Sequence, residues 1–143
     1  MIYIGSDHGG FNLKESLKKI ITLNKMDFED LGAAEMVDGD DFPPYAKKVS
    51  EAVQADLGHS KGILICRSGQ GVCMVANKYK GIRASLCWSA ESAKPARFDD
   101  DANVLCLPSD FVSEKQAEEI TLEWLNTPFS FEERHVRRLK EIE

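Results

Sequence analysis

Apolar positions fall into two rhythms along the chain. Short apolar runs at Met1–Ile4, Phe28–Leu31, Gly62–Cys66, Ile82–Cys87 and Asn103–Leu107 have the length of strands. Gly62–Cys66 has no polar alternation, as expected of a central strand covered on both faces. Between these runs the apolar residues recur at helical spacing. Leu13, Leu17, Ile20 and Ile21 predict a helix over Phe11–Leu23, and Ala117, Ile120, Leu122 and Leu125 another over Ser113–Asn126. Pro43-Pro44 opens a helix running to about Leu57, since proline suits a first helical turn. Further helices are expected from the loop Arg67–Gly71 to about Lys80, over Ala90–Arg97, and over the charged Glu132–Glu143. Strands alternating with helices argue for an α/β fold on a parallel sheet. With no repeat, low-complexity segment or long linker, residues 1–143 read as one domain.

In an open parallel sheet, ligands bind beyond the carboxyl ends of the strands. That rule singles out three loops, Gly5–Gly10, Cys66–Gly71 and Phe98–Ala102, which are expected to converge on one crevice.

Composition narrows the partners. Lys and Arg number 18 against 24 Asp and Glu, giving a net charge of -6 that disfavours nucleic acid, though not a local basic site for one phosphate. The first residues, MIYIGSDHGG, lack the basic and apolar regions of a signal peptide, and no run suits a membrane span. The four cysteines, Cys66, Cys73, Cys87 and Cys106, form no C-x-x-C pair. A reducing, cytoplasmic location without disulfides is expected. The histidines are isolated, so no metal site is expected, and His59 reads as ordinary surface.

Cys66 ends the central strand and is followed by Arg67-Ser68-Gly69-Gln70-Gly71 at a helix start. Unpaired N–H groups at a helix N-terminus favour a thiolate, a usable base, and can hold the oxyanion of an enediolate. The alternative is a buried strand-end thiol of no chemical consequence. Asp7-His8-Gly9-Gly10 follows the first strand; Asp7 could bind sugar hydroxyls or cap a helix, and His8 could meet phosphate or stand free. Arg134 and Arg138 share a helix face, suited to phosphate or to pairing with Glu132, Glu133 and Glu141.

Taken together, GSDHGGFNLK (5–14), DFPPYA (41–46), GILICRSGQG (62–71), ANKYKGIRA (76–84), DANVLCL (101–107) and ERHVRRLKEI (133–142) resemble the ribose-5-phosphate isomerase B family, which includes the galactose-6-phosphate isomerase subunits. The resemblance implies a three-layer, doubly wound, Rossmann-like sheet of five parallel strands with a C-terminal helix. It implies a homodimer or dimer of dimers with active sites between subunits, and a sugar-phosphate substrate with no metal or organic cofactor. Cys66 matches the catalytic base, Ser68 an assisting Thr, and the backbone of Gly69, Gln70 and Gly71 the anion hole. Asp7 matches a hydroxyl ligand, while His8, Arg134 and Arg138 match phosphate contacts.

Departures from the family pattern concern the same chemistry. The ring-opening His is replaced within Asp99-Asp100-Asp101, where Asp99 could serve if burial favoured its protonated form, with Asp100 beside it. A phosphate-binding Arg has become Asp110, a Gly has become Arg67, and a substrate-side Tyr has become Phe42. Arg67 is expected to enter the crevice and either pair with Asp99 or Asp100 or restore the charge lost at Asp110. The expected activity is aldose–ketose isomerisation, with ribose 5-phosphate and ribulose 5-phosphate leading. The alternatives are another sugar phosphate, such as a hexose 6-phosphate, or a binding protein without turnover.

Overall fold

The computed structural model describes residues 1–143. Strands β1 (Ile2–Ser6), β2 (Phe28–Asp30), β3 (Lys61–Cys66), β4 (Ala84–Leu86) and β5 (Val104–Pro108) form one sheet in the order β2-β1-β3-β5-β4. Every neighbouring pair is parallel. Helices α1 (Phe11–Leu23), α2 (Phe42–Gln54), α3 (Gln70–Ala76), α4 (Ala90–Phe98) and α5 (Glu114–Asn126) connect or follow the strands, and α6 (Glu133–Ile142) ends the chain.

Side chains on a strand alternate between faces, and β3 shows how this builds three layers. Ile63 and Ile65 join Leu17 and Ile21 of α1, Ala93 of α4, and Ala117, Ile120 and Trp124 of α5. Leu64 and Cys66 point the other way, to Ala46, Val49 and Val53 of α2 and Val72 and Ala76 of α3. Each fully buried Leu or Ile contributes about 1.5–3 kcal/mol. The unbroken apolar run of β3 is thus explained by helices on both faces.

Local sequence sets several boundaries. Ser113 caps α5 by accepting the Gln116 N–H at 3.1 Å, while the Gln116 side chain accepts from the Ser113 N–H at 2.8 Å. Two helices stop earlier than their periodicity predicts. Beyond α2 the chain turns through Gly58, and beyond α3 through Gly81, both with positive φ. β4 is shorter than expected because Ile82 donates to the Tyr79 carbonyl and Arg83 to the Asn103 side chain, leaving the ladder to begin at Ala84.

In α6 the buried residue is His135, whose Nδ1 lies 2.6 Å from Ser130 Oγ and whose ring meets Phe98 edge-on. No helix is long and apolar enough to cross a membrane.

Candidate active site

Sheet order reverses direction between β1 and β3, the position where open α/β sheets form their ligand crevice. The loops that leave these two strands carry Asp7-His8-Gly9-Gly10 and Arg67-Ser68-Gly69. They are brought together closely, since a Cβ on Gly10 would come within 2.7 Å of Ile65. The loop after β5 closes the group. Ser109 donates its N–H to the Cys66 carbonyl at 3.0 Å and its hydroxyl to the Gly9 carbonyl at 2.8 Å, and Asp110 donates its N–H to the Arg67 carbonyl at 2.9 Å.

Cys66 is 5% exposed, and its Sγ accepts the Gly69 N–H at 3.1 Å. That geometry needs Gly69 in the left-handed region, at φ 70°, with Leu86 and the Leu107–Pro108 backbone where a side chain would go. Ser68 accepts the Gln70 N–H at 3.3 Å, and the Phe42 ring lies over Gly71. The first residues of α3 therefore stand beside the sulfur with N–H groups that have no partner earlier in the helix.

Asp7 caps a single 3-10 turn, His8–Gly10, by accepting the Gly10 N–H at 3.2 Å, so part of its role is structural. His8 is held by Asp40, a residue the sequence reading did not single out. Asp40 Oδ1 accepts the His8 backbone N–H at 2.7 Å and lies 3.0 Å from Nδ1. That hydrogen bond raises the His8 pKa above its ordinary value, against a lowering by desolvation.

The third predicted loop is elsewhere. Phe98–Ala102 leads into β5 instead of leaving a strand, so it lies at the amino edge of the sheet. Six residues of β3 at about 3.3 Å each put roughly 20 Å between the two edges. Within one chain, then, Asp99 and Asp100 do not meet Cys66, which corrects the expectation of a single crevice. The expected pairing of Arg67 with Asp99 or Asp100 fails in one chain for the same reason. Arg67 is exposed, and its aliphatic stem lies against Gly9, on the same edge as Asp110.

The amino edge has its own cluster. Asp99 Oδ1 is 3.7 Å from His135 Nε2, and Asp100 is exposed with its carbonyl accepting from Arg83. Asp101 is tied to Arg83 at 2.8 Å and to Arg97 at 2.7 Å. Arg134 is exposed and pairs with Glu132 at 2.9 Å; Arg138 is exposed on the same helix. The sequence residues thus separate into two groups, with the Asp7–His8 and Cys66–Gly71 loops at the carboxyl edge and Asp99, Asp100, Arg134 and Arg138 at the other.

A polar cavity of about 260 Å³ lies at the carboxyl edge between Gly9, Asn12 and Ser16 on one side and Ser109, Asp110 and Glu114 on the other. Larger clefts run beside α3, past Gln70 and Met74, and at the amino edge near Arg83 and Glu143. Volume alone does not locate the chemistry, whereas the strand-end loops do.

Solved structures carry the same frame. The chain matches ribose-5-phosphate isomerase B of Mycoplasma genitalium, solved with bound ribulose 5-phosphate, at a TM-score of 0.95 and 40% identity, covering 99% of this chain and 92% of that one. It matches the enzyme of Thermotoga maritima at 0.92 and 38%, covering 99% and 95%. The chain is an aldose–ketose isomerase in the fold of these enzymes. A probable ribose-5-phosphate isomerase B of Mycoplasma pneumoniae is 45% identical over 99% of this chain and 91% of its own length, and a D-erythrulose-4-phosphate isomerase of Pectobacterium atrosepticum is 32% identical over 90% and 84%. The ribose/galactose isomerase profile matches residues 2–142, and the chain belongs to that family.

Proposed function

We propose that the chain interconverts ribose 5-phosphate and ribulose 5-phosphate by moving a proton between C1 and C2 through an enediolate, with Cys66 as the base. The observation that carries this is the Gly69 N–H on the Cys66 sulfur at the start of α3. A thiolate there sits beside N–H groups suited to the enediolate oxygens, supplied by Gly69, Gln70 and Gly71. Ser68 assists at those oxygens, Asp7 binds a sugar hydroxyl, and His8 and Arg67 receive the phosphate end.

The active site is completed by a second copy of the chain. Asp99, the acid–base group for ring opening, Asp100, and the phosphate-binding Arg134 and Arg138 come from the partner. This is supported by the two edges, each holding half of the chemistry. The four free thiols are in keeping with a cytoplasmic enzyme.

One specific feature favours a second substrate. Asp99 carries no imidazole for ring opening, and an aldose 4-phosphate of four carbons has no free hydroxyl with which to close a five-membered ring. Its relative in Pectobacterium is named for D-erythrulose 4-phosphate. The test is proton exchange and turnover in D2O, followed by NMR, with ribulose 5-phosphate and erythrulose 4-phosphate. The native protein is expected to place deuterium at C2 of the aldose, and Cys66→Ala to place none. Deuterium incorporation untouched by Cys66→Ala would sink the assignment of the base. Turnover of the tetrose alone would move the substrate assignment to it.

A further inference from the structure

His8 and Asp40 lie 32 residues apart in sequence and meet at three points. The His8 backbone N–H donates to Asp40 Oδ1 at 2.7 Å, His8 Nδ1 lies 3.0 Å from the same oxygen, and Nδ1 lies 3.2 Å from the Asp40 carbonyl oxygen. Both oxygens near Nδ1 are acceptors only, so Nδ1 carries a proton. A neutral His8 then has a bare lone pair at Nε2, which repels a phosphate oxygen. Only the imidazolium presents an N–H there as well.

Resting on the reading of His8 as a phosphate contact, we infer that Asp40 is a positioning residue. It fixes the His8 tautomer and holds the ring as a cationic donor, through Nε2, to the dianion of a phosphate monoester. The Asp40 side chain is 10% exposed, and its Oδ1 is engaged by His8 at both the backbone N–H and Nδ1. Burial would push the Asp40 carboxyl up, but the His8 backbone N–H, the neighbouring Tyr45 hydroxyl and the His8 ring hold it below the usual range. It therefore remains charged wherever His8 titrates. The groups around His8 are Asp7 in its own turn, Asp40 ahead of α2, Tyr45 on α2, and Arg67, whose stem lies against Gly9. Asp40 is the one that touches the ring, and its negative charge lies behind the imidazole, away from Nε2.

The experiment is NMR of the histidine ring nitrogens in the full chain, titrated with pH and with inorganic phosphate, for the native protein and Asp40→Asn. His59 and His135 serve as internal references. Native His8 is expected to be protonated on Nδ1 in its neutral form and to titrate above the ordinary value of 6.5. Affinity for the phosphate dianion, corrected for the protonation of phosphate itself, should fall as pH rises through that midpoint. Asn keeps an acceptor for Nδ1 but not the charge. In Asp40→Asn the midpoint should fall, phosphate binding near neutrality should weaken roughly three- to tenfold, and the KM for a sugar phosphate should rise with kcat little changed. A native tautomer with its proton on Nε2, or equal midpoints in the two proteins, overturns the inference. So does phosphate affinity indifferent to Asp40. The native tautomer is decisive even where the variant folds poorly. Phosphate binding coupled to His8 and Asp40, with no sugar phosphate turned over, upholds the inference while removing the isomerase reading.

Discussion

The Gly69 N–H points at the Cys66 sulfur from 3.1 Å, and only a residue at ease with φ 70° can hold it there. Thiol and turn are one unit. Gly69→Ala is therefore expected to cost about 1–3 kcal/mol of stability and to lower kcat more than it raises KM. Urea denaturation with steady-state kinetics checks both. A variant as stable and active as the native chain would show that the turn does not depend on glycine.

Proton transfer and ring opening are expected to separate under Asp99→Asn. Ribulose 5-phosphate, with O5 esterified, cannot close the usual five-membered ring. Its C1 proton can therefore exchange with solvent through the enediolate without Asp99. The variant is expected to keep that exchange while losing turnover of ribose 5-phosphate by about 10²–10⁴-fold. Equal losses in both assays would place Asp99 in the proton-transfer step or in the fold.

Mixing two inactive variants tests the division of the site between copies. Cys66→Ala and Asp99→Asn chains, dissociated and reassociated together, should form mixed dimers with one intact site. Random pairing gives about a quarter of native activity toward ribose 5-phosphate. No recovery, with mixed dimers verified by mass, would overturn the sharing of one site between Cys66 of one chain and Asp99 of the other.

Acid should loosen the α1 corner. Lys14 is fully buried against Asp30 and Glu15, and Lys18 pairs with both carboxylates at 2.8 Å. Burial pushes the Asp30 carboxyl up, but Lys14, Lys18 and the Gly32 N–H outweigh it and leave it below the ordinary 3.8. Its stabilisation is complete above that unfolded-state value and is lost as pH falls through the lower folded one. Asp30→Asn should cost about 3 kcal/mol at neutral pH by leaving Lys14 under-compensated. The gap from the native protein should narrow on strong acidification, as measured by urea denaturation over a pH series.

Much of this was legible in the sequence because it is local. Leu13, Leu17, Ile20 and Ile21 mark α1 from Phe11 to Leu23 as observed, and the unbroken run of β3 locates the centre of the sheet. The position of Phe98–Ala102 was also readable, because a loop that enters a parallel strand lies opposite one that leaves it. The same rule would have favoured Ser109, directly beyond β5, which ties the Gly9 and Cys66 loops together. Asp40 left no such trace. Its contact with His8 depends on how the segment before α2 folds back over the β1 loop, and neither spacing nor residue type marks it.

The separation of Cys66 and Asp99 to opposite ends of β3 and β5 has a kinetic corollary. On the proposal that each site is shared by two chains, catalytic output would depend on association as well as on chemistry. Specific activity should fall on dilution once the chains part, and recover with added substrate if the sugar phosphate bridges them. Such an enzyme is gated by its own abundance.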